Sequence, residues 1–286
     1  MQIPNSAEIK SKQNTEDNIR IQCAAGYYFN LAEILNYICW FLCILSAVIS
    51  FKGDSMVGVI MMFLIDLCCL AVGIIVQRSV ECAADLRKLF DARVLFANDG
   101  GFAEAEIRRL NEKAICMINR HKKDYEVISV SDGKATPPGK KDWYVFASDM
   151  DPLYAQLECQ AQNKWWNDKM VSARRWVLCI VAVIIVFLGF LLYRSLSLPI
   201  VGLINAVGII LIRLIERIIQ YAKYNTISNS IDTMYKSASK QISMDKIEDL
   251  QMYIDDRRRL TVFEMNIIHH LFASKLSKLY ENILKN

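Results

Sequence analysis

The sequence predicts an all-α membrane protein, with four transmembrane helices arranged as two hairpins and a mainly helical cytoplasmic domain. Three observations predict it. Four apolar runs occur as two close pairs, Ile34 to Phe51 with Met56 to Val76, and Trp176 to Tyr193 with Leu198 to Ile219. Each run is near the roughly 20 residues that cross about 30 Å of hydrocarbon at about 1.5 Å per residue. A long charged segment separates the pairs, so the 53% hydrophobic content of the 286 residues is concentrated rather than spread as in a soluble globule.

Five segments follow from this pattern. Residues 1–33 form an N-terminal cytoplasmic helix, 34–76 the first transmembrane hairpin, 77–175 a cytoplasmic sensing domain, 176–219 the second hairpin, and 220–286 C-terminal cytoplasmic helices. Residues 1–33 carry Glu8, Lys10, Lys12, Glu16, Asp17, Arg20 and Glu33 and lack the apolar core of a cleaved signal peptide, which makes Ile34 to Phe51 the first span. From Ile9 to Glu33 a single helix is expected, with Ile9, Ile19, Cys23, Tyr27 and Leu31 loosely on one face.

Orientation comes from the distribution of Lys and Arg. Three precede the first hairpin, 17 lie between the hairpins and 12 lie from Arg213 onward, whereas each hairpin turn has one, Lys52 and Arg194. Basic residues gather on the cytoplasmic flanks of spans, and Arg78, Lys169, Arg174, Arg175, Arg213 and Arg217 are such flanks. Both termini and the middle segment are therefore expected in the cytoplasm.

Within the middle segment, Val80 to Ala97 and Phe102 to His121 read as helices split by the turn Asn98-Asp99-Gly100-Gly101. Glu126 to Val130 reads as a short strand, and Ser131 to Lys141, with two prolines and two glycines, as a loop. Asp149-Met150-Asp151-Pro152 signals the start of a helix running toward the third span. Beyond the fourth span, Ile215 to Tyr235 and Leu260 to Leu284 are amphipathic, with Phe263, Ile267, Leu271, Leu276 and Leu279 spaced for one buried face.

The chemistry the residues exclude is as informative. The middle segment has 17 bases against 15 acids, far from the basic stripe that grips polymeric nucleic acid. Nine cysteines without a CxxC pair, and only His121, His269 and His270, support neither a zinc site nor a disulfide framework. Gly133 to Lys141 superficially resembles a phosphate-binding loop, but its glycine spacing is wrong and no Ser or Thr follows the lysine pair. No nucleophile elbow or catalytic acid pair is present, so no enzyme and no cofactor are expected.

Polar residues within the spans are costly and therefore candidates for function. Asp66 sits mid-run between Phe63 and Cys69, where an ionised group needs a partner or water. Arg213, about 7 Å away in depth and leaning back toward it, is one candidate partner, and Asn205 lies nearby in depth. Asp66, Asn205 and Arg213 are thus candidate membrane-polar or pore residues, and a constitutive small transporter or ion channel with Asp66 in the translocation path is an alternative function.

Several short motifs carry a family resemblance. Gln13-Asn14, Ala24-Ala25 and Tyr28 precede the first span; Asp85-Leu86-Arg87 and Leu89-Phe90-Asp91 follow the second run; Asp142-Trp143-Tyr144 and Cys159-Gln160 through Asn163 to Trp166 precede the third. In order and spacing the chain resembles the SMODS-associating four-transmembrane effector family over nearly its whole length. Where the family has Arg after Cys-Gln and Asp after Trp, this chain has Ala161 and Asn167.

The resemblance implies a multi-pass protein of the bacterial inner membrane that acts as a CBASS antiphage effector. A partner nucleotidyltransferase makes a cyclic oligonucleotide second messenger, and the effector binds it and permeabilises the membrane, as a homo-oligomer embedded in lipid. A cyclic di- or trinucleotide presents phosphates suited to Arg and Lys and bases suited to aromatic faces. Arg108, Arg109, Lys140, Lys141, Trp143 and Tyr144 are the candidate ligand-binding residues, with Trp143, after a basic loop, the foremost.

Overall fold

A computed structural model describes residues 3–50, 56–169, 200–262 and 266–285, and side chains outside 50, 200–211, 263–271 and 284–285 within them. Regular structure among the described residues is helical throughout. The apolar run Trp176 to Tyr193 lies outside the described residues, as do both expected hairpin turns.

Helix α1 spans Ser6–Gln13 and begins with a capping box in which Asn5 and Glu8 bond reciprocally, each at 3.0 Å. The single helix expected from Ile9 to Glu33 is broken at Asn14-Thr15. The Asn14 amide bonds the Lys10 carbonyl at 3.1 Å and Asp142 at 2.8 Å, and side-chain competition for backbone groups is how Asn ends a helix that has no Gly or Pro.

Helices α2, Glu16–Ser50, and α3, Met56–Leu95, are 35 and 40 residues long. At about 1.5 Å per residue they reach roughly 50–60 Å, nearly twice the apolar thickness of a bilayer. Both are long and apolar enough to cross a membrane, and both continue past their apolar runs into a polar body. The expected helix from Val80 is thus the far half of α3. Ser46 meets Asp66, Cys43 meets Cys69, and Ala32 packs with Val76 and Val80, the order of an antiparallel pair. Phe63 and Leu70 of α3 point outward, 67% and 64% exposed, as lipid-facing residues would.

After α3 the chain turns through Ala97, Gly100 and Gly101, all at positive φ, and at the last two glycine avoids the crowding a Cβ would bring. Helix α4 is Glu104–Arg120 and α5 is Lys122–Ile128. The strand expected at Glu126 to Val130 is therefore replaced by helix and turn. Among the described residues no strand pairs with it, and an isolated bridge joins Asp132 to Lys141.

Helix α6 starts at 152, as the Asp-Pro signal indicates, and is described to residue 169. Helix α7, Ile200–Lys240, runs unbroken from the fourth apolar run into the polar body, so the amphipathic segment from Ile215 is its continuation. Helix α8 is Met244–Arg258 and α9 is Asn266–Lys285. Of the face expected on α9, the side chains of Phe263, Ile267 and Leu271 lie outside the described residues, and Leu279 is 47% exposed. Ala273 and Tyr280 are buried, with the Tyr280 ring tilted against Trp165 and its hydroxyl donating to Glu158 at 2.7 Å.

The principal core joins Ile9, Ile21, Leu86, Leu89, Phe90, Leu110 and Tyr144, drawn from α1 to α4 and the loop before α6. A second cluster, Leu157, Ile231, Leu250 and Ile254, fastens α6, α7 and α8 together. The polar body is therefore built around the continuations of the same helices that carry the apolar runs.

Candidate functional site

A cavity of about 600 Å³ opens where these continuations meet. Cys23, Tyr27, Asn30 and Glu33 reach it from one face of α2 at helical spacing, and Val80 and Arg87 from one face of α3. Asn163, Trp166 and Asn167 line it from α6, Tyr224 from α7, and Ile254, Arg257 and Arg258 from α8. Pro137, Pro138, Lys140 and Trp143 close it from the loop before α6. Its volume lies in the range that holds ordinary small-molecule ligands.

Its charge favours an anion. Arg87, Lys140, Arg257 and Arg258 face it against only Glu33 and Asp124. The Arg87 guanidinium lies 4.7 Å and the Lys140 ammonium 5.0 Å from the Trp143 ring centre, so the indole holds two cations at the cavity wall. Burial pushes the Cys23 thiol up to about 11, with Lys140 and Arg87 opposing the shift. Tyr27 stacks on His121 with ring centres 4.3 Å apart, and its buried hydroxyl has no hydrogen-bond partner among the described residues. A buried polar atom normally has one, so this hydroxyl suits a ligand polar group.

The loop that carries Lys140 is fixed by its own backbone and by α9. Gly139 N–H donates to Asp132 O at 2.7 Å, Lys140 N–H to Ile128 O at 2.9 Å and Lys141 N–H to Ser131 O at 3.0 Å. A Cβ on Gly139 would sit 1.9 Å from the Ser131 carbonyl oxygen, so only glycine permits this closure. From outside, Ser274 and Ser277 donate to the carbonyls of Lys134 and Gly133, and Lys134 pairs with Glu281 at 2.6 Å.

Beneath the cavity lies a buried polar network. The Tyr144 hydroxyl donates to Asp91 at 2.7 Å and accepts from Asn163 at 3.0 Å, while its backbone N–H and C=O both bond the Gln13 amide. Arg258 donates to Asp91 at 2.6 Å and to Asp255 at 3.1 Å.

Of the ligand residues expected from sequence, Lys140 and Trp143 are brought together at the cavity. Lys141 follows in the same loop but does not line it, and Tyr144 is 1% exposed, below the wall. Arg108 and Arg109 are exposed on α4 away from the lining, Arg108 pairing with Glu104 at 3.1 Å. Asp66 accepts a hydrogen bond from Ser46 at 2.9 Å, and Arg213 pairs with Glu216 at 2.8 Å. Asn205 lies on α7, with its side chain outside the described residues.

Sequence reasoning missed Tyr27, Arg87, Asn163, Arg257 and Arg258 as cavity residues. A signal for some of them was present: the short motifs at Gln13-Asn14, Arg87, Asp91, Trp143-Tyr144 and Asn163 to Trp166 converge here. Gln13 bonds Tyr144, Asn14 bonds Asp142, Arg87 covers Trp143, and Tyr144 joins Asp91 to Asn163. Asn167 lines the cavity and donates to the Tyr224 hydroxyl.

A family model described as the SMODS-associating 4TM effector domain matches residues 7–278. No curated protein and no solved structure matches the chain.

Proposed function

The chain belongs to the SMODS-associating 4TM effector family, and on that premise we propose that it is an antiphage membrane effector gated by a cyclic oligonucleotide. In this reading a partner nucleotidyltransferase supplies a cyclic di- or trinucleotide in the cytoplasm. The ligand enters the cavity walled by Tyr27, Arg87, Lys140, Trp143 and Arg258, and the protein then permeabilises the inner membrane. All four apolar runs cross the bilayer as two hairpins, with both termini cytoplasmic. Several protomers assemble, because four helices enclose too little space for an aqueous path, and the chemistry is binding rather than catalysis.

The observation that carries the reading is where the cavity lies. Tyr27 on α2, Arg87 on α3 and Tyr224 on α7 line it, so its wall includes the same unbroken helices that contain apolar runs. Phosphodiester groups suit Arg87, Lys140, Arg257 and Arg258, whose charge-assisted bonds are stronger than neutral ones. Trp143, Trp166 and Tyr27 offer faces for bases, each stacked base contributing about 1–3 kcal/mol.

The test is calcein release from phosphatidylethanolamine and phosphatidylglycerol vesicles carrying the inserted protein, with and without a panel of cyclic di- and trinucleotides. Release triggered by one member, and lost in Lys140→Ala, is the expected result. Release independent of every nucleotide favours the channel or transporter reading through Asp66. No release from correctly inserted protein overturns the effector reading.

A further inference from the structure

Two residues of the cavity wall converge on one buried carboxylate of a membrane-crossing helix. Asp91, on α3, is 1% exposed and accepts three hydrogen bonds, from Tyr144 Oη at 2.7 Å, Gln251 Nε2 at 3.0 Å and Arg258 Nη1 at 2.6 Å. Arg258 lines the cavity and reaches Asp91 directly. Asn163 also lines it and reaches Asp91 through the Tyr144 hydroxyl, donating to that oxygen at 3.0 Å. A carboxylate this deep is costly unless its oxygens are matched by such donors, so its hold on α8 is specific rather than incidental.

We propose that Asp91 passes occupancy of the cavity to the membrane: it clasps α3 to α8 in the ligand-free protein, and an anionic ligand loosens the clasp by competing for Arg258. The inference rests on the cavity being the ligand site, as proposed above. Arg258 makes both of its bonds, to Asp91 and to Asp255, through one nitrogen, Nη1. A phosphodiester arriving on the cavity side offers the guanidinium another anion, and a turn that brings Nη1 toward it weakens the bond to Asp91. A ligand that draws on Asn163 disturbs Tyr144 in the same direction. A second bridge, Arg259 to Asp85 at 2.7 Å, lies about a turn and a half along α3, so α8 grips this helix through adjacent arginines.

Helix α3 makes the consequence reach the bilayer. It is continuous from Met56 to Leu95, so Asp91 and Asp66 ride on one rod, about 38 Å apart at about 1.5 Å per residue. Freed at Asp91, the rod shifts as a unit and carries the Ser46–Asp66 contact with it. Coupling of this kind is reciprocal, so whatever breaks the clasp must also make the ligand bind more tightly.

Asp91→Asn tests this, because it removes the charge while keeping the shape, and Arg258 retains Asp255 as its counter-ion. Calcein release without nucleotide, and binding of cyclic diadenylate and cyclic triadenylate by calorimetry, are measured on wild type, Asp91→Asn and Tyr144→Phe, with folding checked by circular dichroism. The proposal expects ligand-free release to rise in both variants and affinity for the bound probe to tighten, by about tenfold in Asp91→Asn and less in Tyr144→Phe. Wild-type release and affinity in folded variants overturn it, whatever their melting temperatures. If Asp91→Asn fails to fold, Tyr144→Phe decides by the same two readings. If wild type binds neither probe, the ligand reading fails on its own, and ligand-free release in the variants still decides whether Asp91 restrains the membrane helices.

Discussion

The Arg87 guanidinium lies 4.7 Å from the centre of the Trp143 ring, joining a helix that continues an apolar run to a loop 56 residues later in the chain. A cation over an indole gains about 0.5–2 kcal/mol, more where water is excluded. The ring thus holds a flexible arginine, and Lys140 beside it, in a fixed place at the cavity wall.

Arg87→Ala is expected to weaken binding of an anionic cyclic nucleotide by about 10–100-fold, the scale of one charge-assisted hydrogen bond. Calorimetry with cyclic triadenylate, or whichever probe wild type binds, reads this. Arg108→Ala, on an exposed face and paired with Glu104, should leave affinity unchanged. If the two variants behave alike, the cavity is not the ligand site.

Gly139→Ala must open the loop that carries Lys140, because the new methyl meets the Ser131 carbonyl at 1.9 Å and backbone cannot yield as a flexible side chain does. A loss of more than about 2 kcal/mol is expected, or a displaced Lys140 with weakened nucleotide binding. Thermal melts together with calorimetry check both. A variant with wild-type melting and affinity would show that the loop closes differently.

Asp255 carries the pH dependence. Burial, partly opposed by Arg258 and reinforced by Asp91, raises its carboxyl from 3.8 to about 6. A group whose folded pKa is raised binds its proton more tightly in the folded protein. Its stabilising contribution is full below about 3.8 and is lost as pH rises through about 6. Two units at about 1.4 kcal/mol each set that contribution near 3 kcal/mol. The stability difference between wild type and Asp255→Asn should therefore change across pH 4 to 6 and stay flat above 7, as followed by melts over that range. A difference that does not vary between pH 4 and 6 would remove this assignment.

Asp66→Leu is expected to alter dye release while nucleotide affinity stays within about twofold, since the carboxylate lies some 30 Å along α3 from Arg87. Ser46→Ala, which removes the hydroxyl donating to Asp66, should shift release in the same direction by less. Unchanged release in both variants would mean that this polar pair is only a packing device.

Much of the architecture is legible in local spacing. The apolar runs, the turn at Asn98 to Gly101 and the helix start at Pro152 depend on neighbouring residues alone, and α2, α3, α6 and α7 place their helices accordingly. Lys140 and Trp143 were legible for a similar reason, since a basic pair beside an aromatic is visible in a few consecutive residues. Tyr144 was not: it has the same sequence surroundings as Trp143, yet Asp91 and Gln13 draw it into the core.

By itself the sequence determined that this chain places long apolar helices beside a charged helical body, because hydrophobic length and periodicity are properties of adjacent residues. The tertiary structure alone decided that Tyr27, Arg87, Asn163 and Arg258 share one cavity, and that two of them reach Asp91. These residues are separated by 60 or more positions, and which cation faces which ring or carboxylate is fixed by how α2, α3, α6 and α8 pack, a consequence of the whole core rather than of any stretch of chain.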